Sequence, residues 1–398
     1  MNSILTDPFV RTEREADIAA RSDRLAVTFA ERAAEHDRDG SFPFENFDDL
    51  REAGYLKLTI PASYGGEEAS LYEMLLAQER LAKGDGSTAL AVGWHVSQVL
   101  QLRMKQSWPP KLYEEFCRRA VDEGAMINQF ASEPSTGSPS RGGRPQTTAV
   151  RTEGGYLLTG RKTFSSLLPV LDQFTVTAYV EDEEKIGTFY VRRGPGVGME
   201  ETWNTLGMRA TGSHDLLLED VFVPEEERLD RWEGSDGSAL GTGKSDHGGA
   251  LLHIPACYLG IAWAARDFAV KFAAEYRPSS LPGSIADLPH IRHKIGEMES
   301  ERITARTLLY SVADRWDRVP DARPSMKPEL GLAKTVATNA AVRIVDLAMR
   351  IVGGSSLSRT LPLERMYRDV RAGLHNPPME DAVSAMLAQR AIGDVKND

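Results

Sequence analysis

The period of the apolar residues changes twice along this chain, and that constrains its fold more than any other feature. A face repeating every 3.6 residues suits a helix and one repeating every two suits a strand, so neither pattern can serve as the other. From residue 10 to about 120 the spacing is helical. FENFDDLREAGYLKLTIPASYGG reads as a helix that breaks at Pro61 and the Gly65–Gly66 pair. LYEMLLAQERLAKGDGSTALAVGWHVSQVLQL reads as two helices hinged at Gly84, Asp85 and Gly86. Between about 125 and 230 the residues alternate instead. QFTVTAYV puts Phe174, Val176, Ala178 and Val180 on one face, as a half-buried strand would. Gly154–Gly155 predicts a hairpin, and DLLLEDVFVP a further strand stopped by Pro224. After the loop EGSDGSALGTGKSDHGG the helical spacing returns. In GLAKTVATNAAVRIVDLAMRIVGG, Leu332, Val336, Ala340, Ile344, Leu347 and Ile351 form one stripe that Gly353–Gly354 ends. The expected architecture is α+β: a helical domain over residues 1–122, a β domain over 123–232 and a helical bundle over 233–398.

Composition narrows the function. At 398 residues, 41% hydrophobic and 26% charged, the chain has room for two or three domains with a sizeable core. A net charge of -11 repels phosphates and argues against a nucleic-acid partner. Two cysteines, Cys117 and Cys257, cannot build a disulfide framework, which fits a reducing cytoplasm. No apolar run approaching the ~20 residues of a bilayer span is expected. The first residues lack the basic-then-apolar order of a secretory signal. A cytoplasmic protein without a metal centre is the expectation.

Three stretches of the β region, MINQFASEPSTGSPSRGG, GYLLTGRKTFSS and NTLGMRATGSHDLLLEDVFVP, resemble the middle domain of the acyl-CoA dehydrogenase superfamily. That resemblance, extending over nearly the whole chain, implies an N-terminal helical domain, a central β-barrel domain, a C-terminal four-helix bundle and a homotetramer. It also implies a flavin, FAD or FMN. Ser132, Gly137 and Ser138 of SEPSTGS match the strand and loop along the flavin ring and its phosphates. In RKTFSS, Phe164 stands where the dehydrogenases carry a tryptophan, and Ser166 where they carry a threonine that bonds the flavin. The bare-residue alternative for Phe164 is an ordinary strand core position. At the adenosine end Arg277 matches, Ser280 replaces an aromatic, Arg350 replaces a glutamine, and Gly353, Gly354, Ser355 and Ser356 replace a glycine motif. Losing that aromatic removes about 1 kcal/mol of stacking or more. FMN, or a reduced flavin that comes and goes, fits this; FAD stays open because Arg350 could pair with a pyrophosphate.

The resemblance also exposes a loss. In the dehydrogenases a glutamate follows the pair that is Arg368–Asp369 here and removes the substrate α-proton. The counterpart in RDVRAGLHNPPMED is Pro377, which cannot accept a proton. Leu251 stands where dehydrogenases often carry a substrate arginine, and Ala250 offers no alternative carboxylate. His95, Asn128, Ser166 and His375 are instead similar to residues of flavin monooxygenases built on this scaffold, such as dibenzothiophene monooxygenase. There they hold flavin N5 and supply protons to its oxygen adduct, work that suits a histidine titrating near neutrality. A tyrosine expected a turn after His95 is absent, Val99 standing in its place. Each residue has a plainer alternative: His95 a core histidine, Asn128 a strand-edge residue, His375 a turn residue. Glu380 is the remaining candidate base, though a place in the first turn of a helix would weaken it as one. Three functions follow. The first is a monooxygenase fed by a flavin reductase and acting on a small organic substrate. The second is an acyl-CoA dehydrogenase passing electrons to an electron-transfer flavoprotein. The third is a flavin-binding relative without turnover.

Overall fold

The computed structural model of the chain describes residues 7–135, 143–231 and 248–397. Five helices come first: α1 (Glu13–Asp39), α2 (Phe44–Glu52), α3 (Leu71–Leu81), α4 (Gly86–Lys105) and α5 (Pro110–Asp122). Their starts follow local side-chain chemistry. Thr12 with Glu15, and Ser70 with Glu73, form reciprocal capping boxes, and the Asp85 carboxylate accepts from Ser87 N and Thr88 N. The hinge between α3 and α4 thus lies where the glycines put it. The break after α2 lies earlier than expected. The helix stops at Ala53–Gly54, because Gly54 adopts a left-handed φ of 69°, and two short 3-10 turns carry the chain to Pro61 and beyond.

Among the described residues, seven strands form one mixed sheet: β1 (Gln129–Phe130), β2 (Thr148–Thr152), β3 (Gly155–Lys162), β4 (Gln173–Val180), β5 (Lys185–Arg192), β6 (Val197–Glu200) and β7 (Asp215–Pro224). β2 and β3 close the expected hairpin, with Thr152 opposite Gly155. β5 runs along one edge of β4, while β1 and β2 share the other. The order continues through β3 and β7 to β6. Among the described residues no ladder joins β5 to β6, so the sheet is open where a barrel would close. β4 is buried on both faces rather than one: Gln173, Thr175 and Thr177 are as enclosed as the apolar residues between them. The α5 residue Arg119 reaches Gln173 from the helical domain, at 2.7 Å from its Oε1. Alternation correctly marked the apolar face; on the other face Gln173 and Thr177 are buried with partners, Arg119 and Lys162.

The last third holds α6 (His253–Glu275), α7 (Pro289–Arg318), α8 (Lys327–Val352), α9 (Leu363–Ala372) and α10 (Glu380–Asn397). α8 is central, packing against each of the other four. Its stripe is buried at Ala340, Ile344, Leu347 and Ile351, whereas Leu332 and Val336 are only half-buried. Gly353 ends it as expected. Contrary to the sequence expectation, one segment, Gly248–Glu275, is long and apolar enough to cross a membrane by composition alone. Its most apolar window is 78% buried inside the protein, which accounts for its character as a core helix. α6 also receives α3 and α4, so the bundle and the first domain share a core. A buried charge cluster reinforces that junction. Arg306 of α7 reaches both Asp7 and Glu79, Arg80 reaches Asp7, and the Tyr310 hydroxyl donates to Glu79.

Candidate active site

Asn128 sits just before β1, where its amide Nδ2 donates to the Ser166 carbonyl at 2.9 Å and its Oδ1 accepts from Gln129 N at 2.7 Å. Ser166 belongs to the turn that follows β3, so the structure joins these two predicted residues directly. That turn is held in an unusual conformation. Phe164 and Leu167 have φ of 56° and 71°, and nearby Met208 has 53°. Non-glycine residues in this region cost about 1–3 kcal/mol each and persist where the surroundings over-determine them. Here the surroundings are the segment before β7: Ser165 N donates to His214 O, and Leu167 N to Thr211 O.

The consequence of the strain is an aromatic face. Phe164 is 67% exposed, not a strand core residue, and stands edge-on to Trp203 with ring centroids 5.7 Å apart. Trp203 is fixed by its indole N–H, which donates to Met208 O at 2.9 Å. Beneath the face lies a row of buried hydroxyls. Ser166 Oγ is 2.8 Å from Ser213 Oγ, which is 2.6 Å from Thr211 Oγ1. The buried Ser165 Oγ finds no partner among the described residues. An exposed phenylalanine with a half-buried tryptophan at its edge, beside buried, partly unspent hydroxyls, fits a flat, polar-edged ring system such as a flavin.

A buried ion pair supports this turn from behind. Lys162, the last residue of β3, is fully enclosed and donates to Glu133 at 2.6 Å. Glu133 also accepts from Gln146 N, Thr147 N and the Thr147 hydroxyl. Burial would raise the Glu133 carboxyl, but Lys162 and these donors hold it below the usual carboxylate range. The lysine in RKTFSS and the glutamate in SEPSTGS were legible as residues, though not as partners. Ser132, beside Glu133, gives its carbonyl to Thr163 N. Gly137 and Ser138 lie outside the described residues.

The Arg368–Asp369 pair docks the bundle on the site. Asp369 accepts from Met208 N at 2.6 Å, and Arg368 donates to Leu206 O while pairing with Asp37 of α1. Gly207 lies against the Arg368 carbonyl so closely that a Cβ there would collide with it. Burial pushes the Asp369 carboxyl up to about 7.

His95 is fully buried, with both ring nitrogens bonded to the backbone. Its Nε2 donates to Leu56 O at 2.8 Å and its Nδ1 accepts from Ile127 N at 3.1 Å. Complete burial lowers its pKa to about 4, so the neutral ring has no free nitrogen to offer a substrate. It acts instead as a strut, holding α4 against the residue before Asn128. His375 is the exposed last residue of a 3-10 turn, Gly373–His375, and no hydrogen bond among the described residues joins it to Asn128 or Ser166. Its neighbour Asn376 is anchored, since the Tyr258 hydroxyl of α6 donates to Asn376 Oδ1 at 2.7 Å. Glu380 is exposed on the first turn of α10, where its Oε2 accepts from Asn339 at 3.4 Å. Arg277, Arg350, Gly353 and Gly354 are all exposed, and Arg350 pairs with Asp346 at 2.7 Å.

Comparison with known proteins follows the same division of the chain. The acyl-CoA dehydrogenase N-terminal domain matches residues 12–112, the middle domain 128–221 and the C-terminal domain 252–374. YdbM, an acyl-CoA dehydrogenase candidate of Bacillus subtilis (strain 168), is 48% identical over 96% of this chain and 98% of its own. L-evernosamine nitrososynthase of a Micromonospora species is 31% identical over 92% of this chain and 88% of its own. The solved structure of KijD3 with FMN and a dTDP-linked amino-keto sugar has a TM-score of 0.82 at 27% identity, covering 96% and 94% of the two chains. This chain belongs to the acyl-CoA dehydrogenase family.

Proposed function

We propose that the protein is a flavin-dependent monooxygenase that takes reduced FMN or FAD from a separate flavin reductase and oxygenates a small organic substrate. The observation that carries this reading is the absence of a carboxylate at the loop where the dehydrogenases keep their base. Leu374, His375, Asn376, Pro377 and Pro378 occupy that loop, and Ala250 leaves the alternative position without one. Bound flavin would supply the two electrons with which oxygen is split, one atom entering the substrate and the other leaving as water. Phe164 and Trp203 present the face that holds the ring; Asn128 fixes the Ser166 backbone; His375 holds or delivers a proton at its imidazole. Arg277 and Arg350 stand ready for the phosphate end, on surfaces that a homotetramer would cover.

The test is twofold. Anaerobically reduced protein with FMN, given isotopically labelled oxygen and an amino sugar or heteroaromatic amine, is expected to yield labelled product in mass spectrometry. Oxidised protein–FAD given a panel of acyl-CoA thioesters without oxygen is expected to keep its visible absorbance. Bleaching by any of them would favour a dehydrogenase, the activity for which YdbM is named.

Two further outcomes follow. Glu380→Gln is expected to change turnover by less than about 10-fold, a barrier change of about 1.4 kcal/mol, since Glu380 faces Asn339 and solvent. A fall of several orders of magnitude with flavin binding intact would restore Glu380 as the base. Flavin is also expected to leave the protein during gel filtration, because Ser280 supplies no stacking ring at the adenosine end. Stoichiometric FAD surviving purification would count against a flavin that exchanges with a reductase.

A further inference from the structure

We propose that Thr211 and Ser213 are positioning residues that turn the Ser166 hydroxyl into a hydrogen-bond acceptor at the flavin ring, so that the site holds reduced flavin more tightly than oxidised flavin. This rests on the flavin-site reading above.

Each hydroxyl has a single hydrogen to give and lone pairs to receive others. Thr211 Oγ1 donates to the Met208 carbonyl at 3.1 Å. With its hydrogen used there, Thr211 can only accept from Ser213 across the 2.6 Å contact. Ser213 in turn has given its hydrogen away and can only accept from Ser166 across 2.8 Å. Ser166 Oγ is left with lone pairs alone to present to a ligand. All three side chains are buried, Ser166 being 8% exposed, so water cannot easily reset the order. The backbone bonds Ser165 N to His214 O and Leu167 N to Thr211 O flank the row and keep its spacing fixed.

The bias is directional but not absolute. Reversal would take the Thr211 hydrogen from Met208 O, a carbonyl that still keeps the Trp203 indole N–H at 2.9 Å. Reversal therefore forfeits about one neutral hydrogen bond. A flavin's N5 is a bare acceptor when oxidised and carries a hydrogen when reduced. An acceptor-only hydroxyl at the ring edge favours the form with N5–H, by the roughly fivefold that one such bond is worth. Neither Thr211 nor Ser213 needs to touch the flavin, because both act through Ser166.

The experiment measures dissociation constants of the full-length protein for oxidised and reduced FMN, and for oxidised and reduced FAD, by anaerobic titration. A spectroelectrochemical midpoint potential of the bound flavin gives an independent readout. Tighter binding of the reduced form is expected in the unaltered protein. Thr211→Val removes the anchoring hydrogen at nearly constant volume and is expected to cut the reduced-over-oxidised preference about fivefold. Binding of oxidised flavin should weaken little or improve. Thr211→Ser restores the preference, which a merely structural role for the methyl group would not allow. Ser213→Ala interrupts the row at its middle and is expected to lower the preference as Thr211→Val does, so the proposal stays testable if one variant fails to fold. An unchanged preference in a folded, flavin-binding Thr211→Val or Ser213→Ala protein overturns the relay while leaving the flavin site standing. Failure of the unaltered protein to bind FMN or FAD in either state overturns both.

Discussion

Replacing His375 with alanine is expected to cut oxygenated product per reduced flavin consumed by about 100-fold, the lower end of what a positioned acid–base group contributes. Hydrogen peroxide should account for the missing oxygen. The His375 side chain is exposed at the end of its turn, so its removal costs the fold little. Its neighbour is already held by the bond from Tyr258 to Asn376, and proline follows, which restricts the backbone. The turn therefore survives the substitution while the proton carrier does not. Oxygen uptake, peroxide and product, measured together under limiting reduced FMN, separate loss of coupling from loss of binding. Unchanged coupling would reduce His375 to a turn residue and remove it as the proton carrier of the proposed oxygenation.

The largest stability effect is expected at Glu133. Glu133→Gln leaves the Lys162 ammonium enclosed without its counter-charge, and breaking a buried pair in this way costs about 3–5 kcal/mol. The double variant Glu133→Gln with Lys162→Met removes both charges and is expected to recover much of that loss. Denaturant midpoints of the unaltered protein, Glu133→Gln, Lys162→Met and the double variant test this. A single variant costing less than about 1 kcal/mol, or a double variant no better than the singles, would reject the pair as a stabilising unit. The pH dependence has a definite sign. The Glu133 carboxyl is held below its unfolded value of 4.5, so its contribution is complete above that pH and is lost as pH falls through the lower folded value. Removing the carboxylate should flatten that acid limb. Because Lys162 ends the strand that leads into the Phe164 turn, the same variants are expected to weaken flavin binding as well.

Much of the organisation was written locally. The change of period, the Asp85 cap, the Gly154–Gly155 hairpin and the Gly353 stop each depend on neighbours in sequence, and the structure puts elements and breaks there. The earlier end of α2 came from Gly54, which precedes the proline in the chain and takes the left-handed conformation that closes a helix. That Pro377, at the position where the resemblance puts the base, cannot accept a proton was equally visible, because its side chain carries no basic group. Side-chain roles were not local. His95 looked like a reactive group in GWHVS until Leu56 O and Ile127 N, 39 and 32 residues away, took both ring nitrogens.

The sequence by itself determined most of which segments are helix or strand, which family they resemble, and that Pro377 stands where the resemblance puts the dehydrogenase carboxylate. Those properties follow from backbone preference and residue chemistry, which each short segment carries with it. Only the tertiary structure decided that Glu133 faces Lys162, that Thr211 and Ser213 line up behind Ser166, that β4 is buried on both faces and that Asp369 clasps Met208 N. A hydrogen bond or ion pair needs a partner within about 3 Å, and sequence distance does not say which residues the fold brings that close.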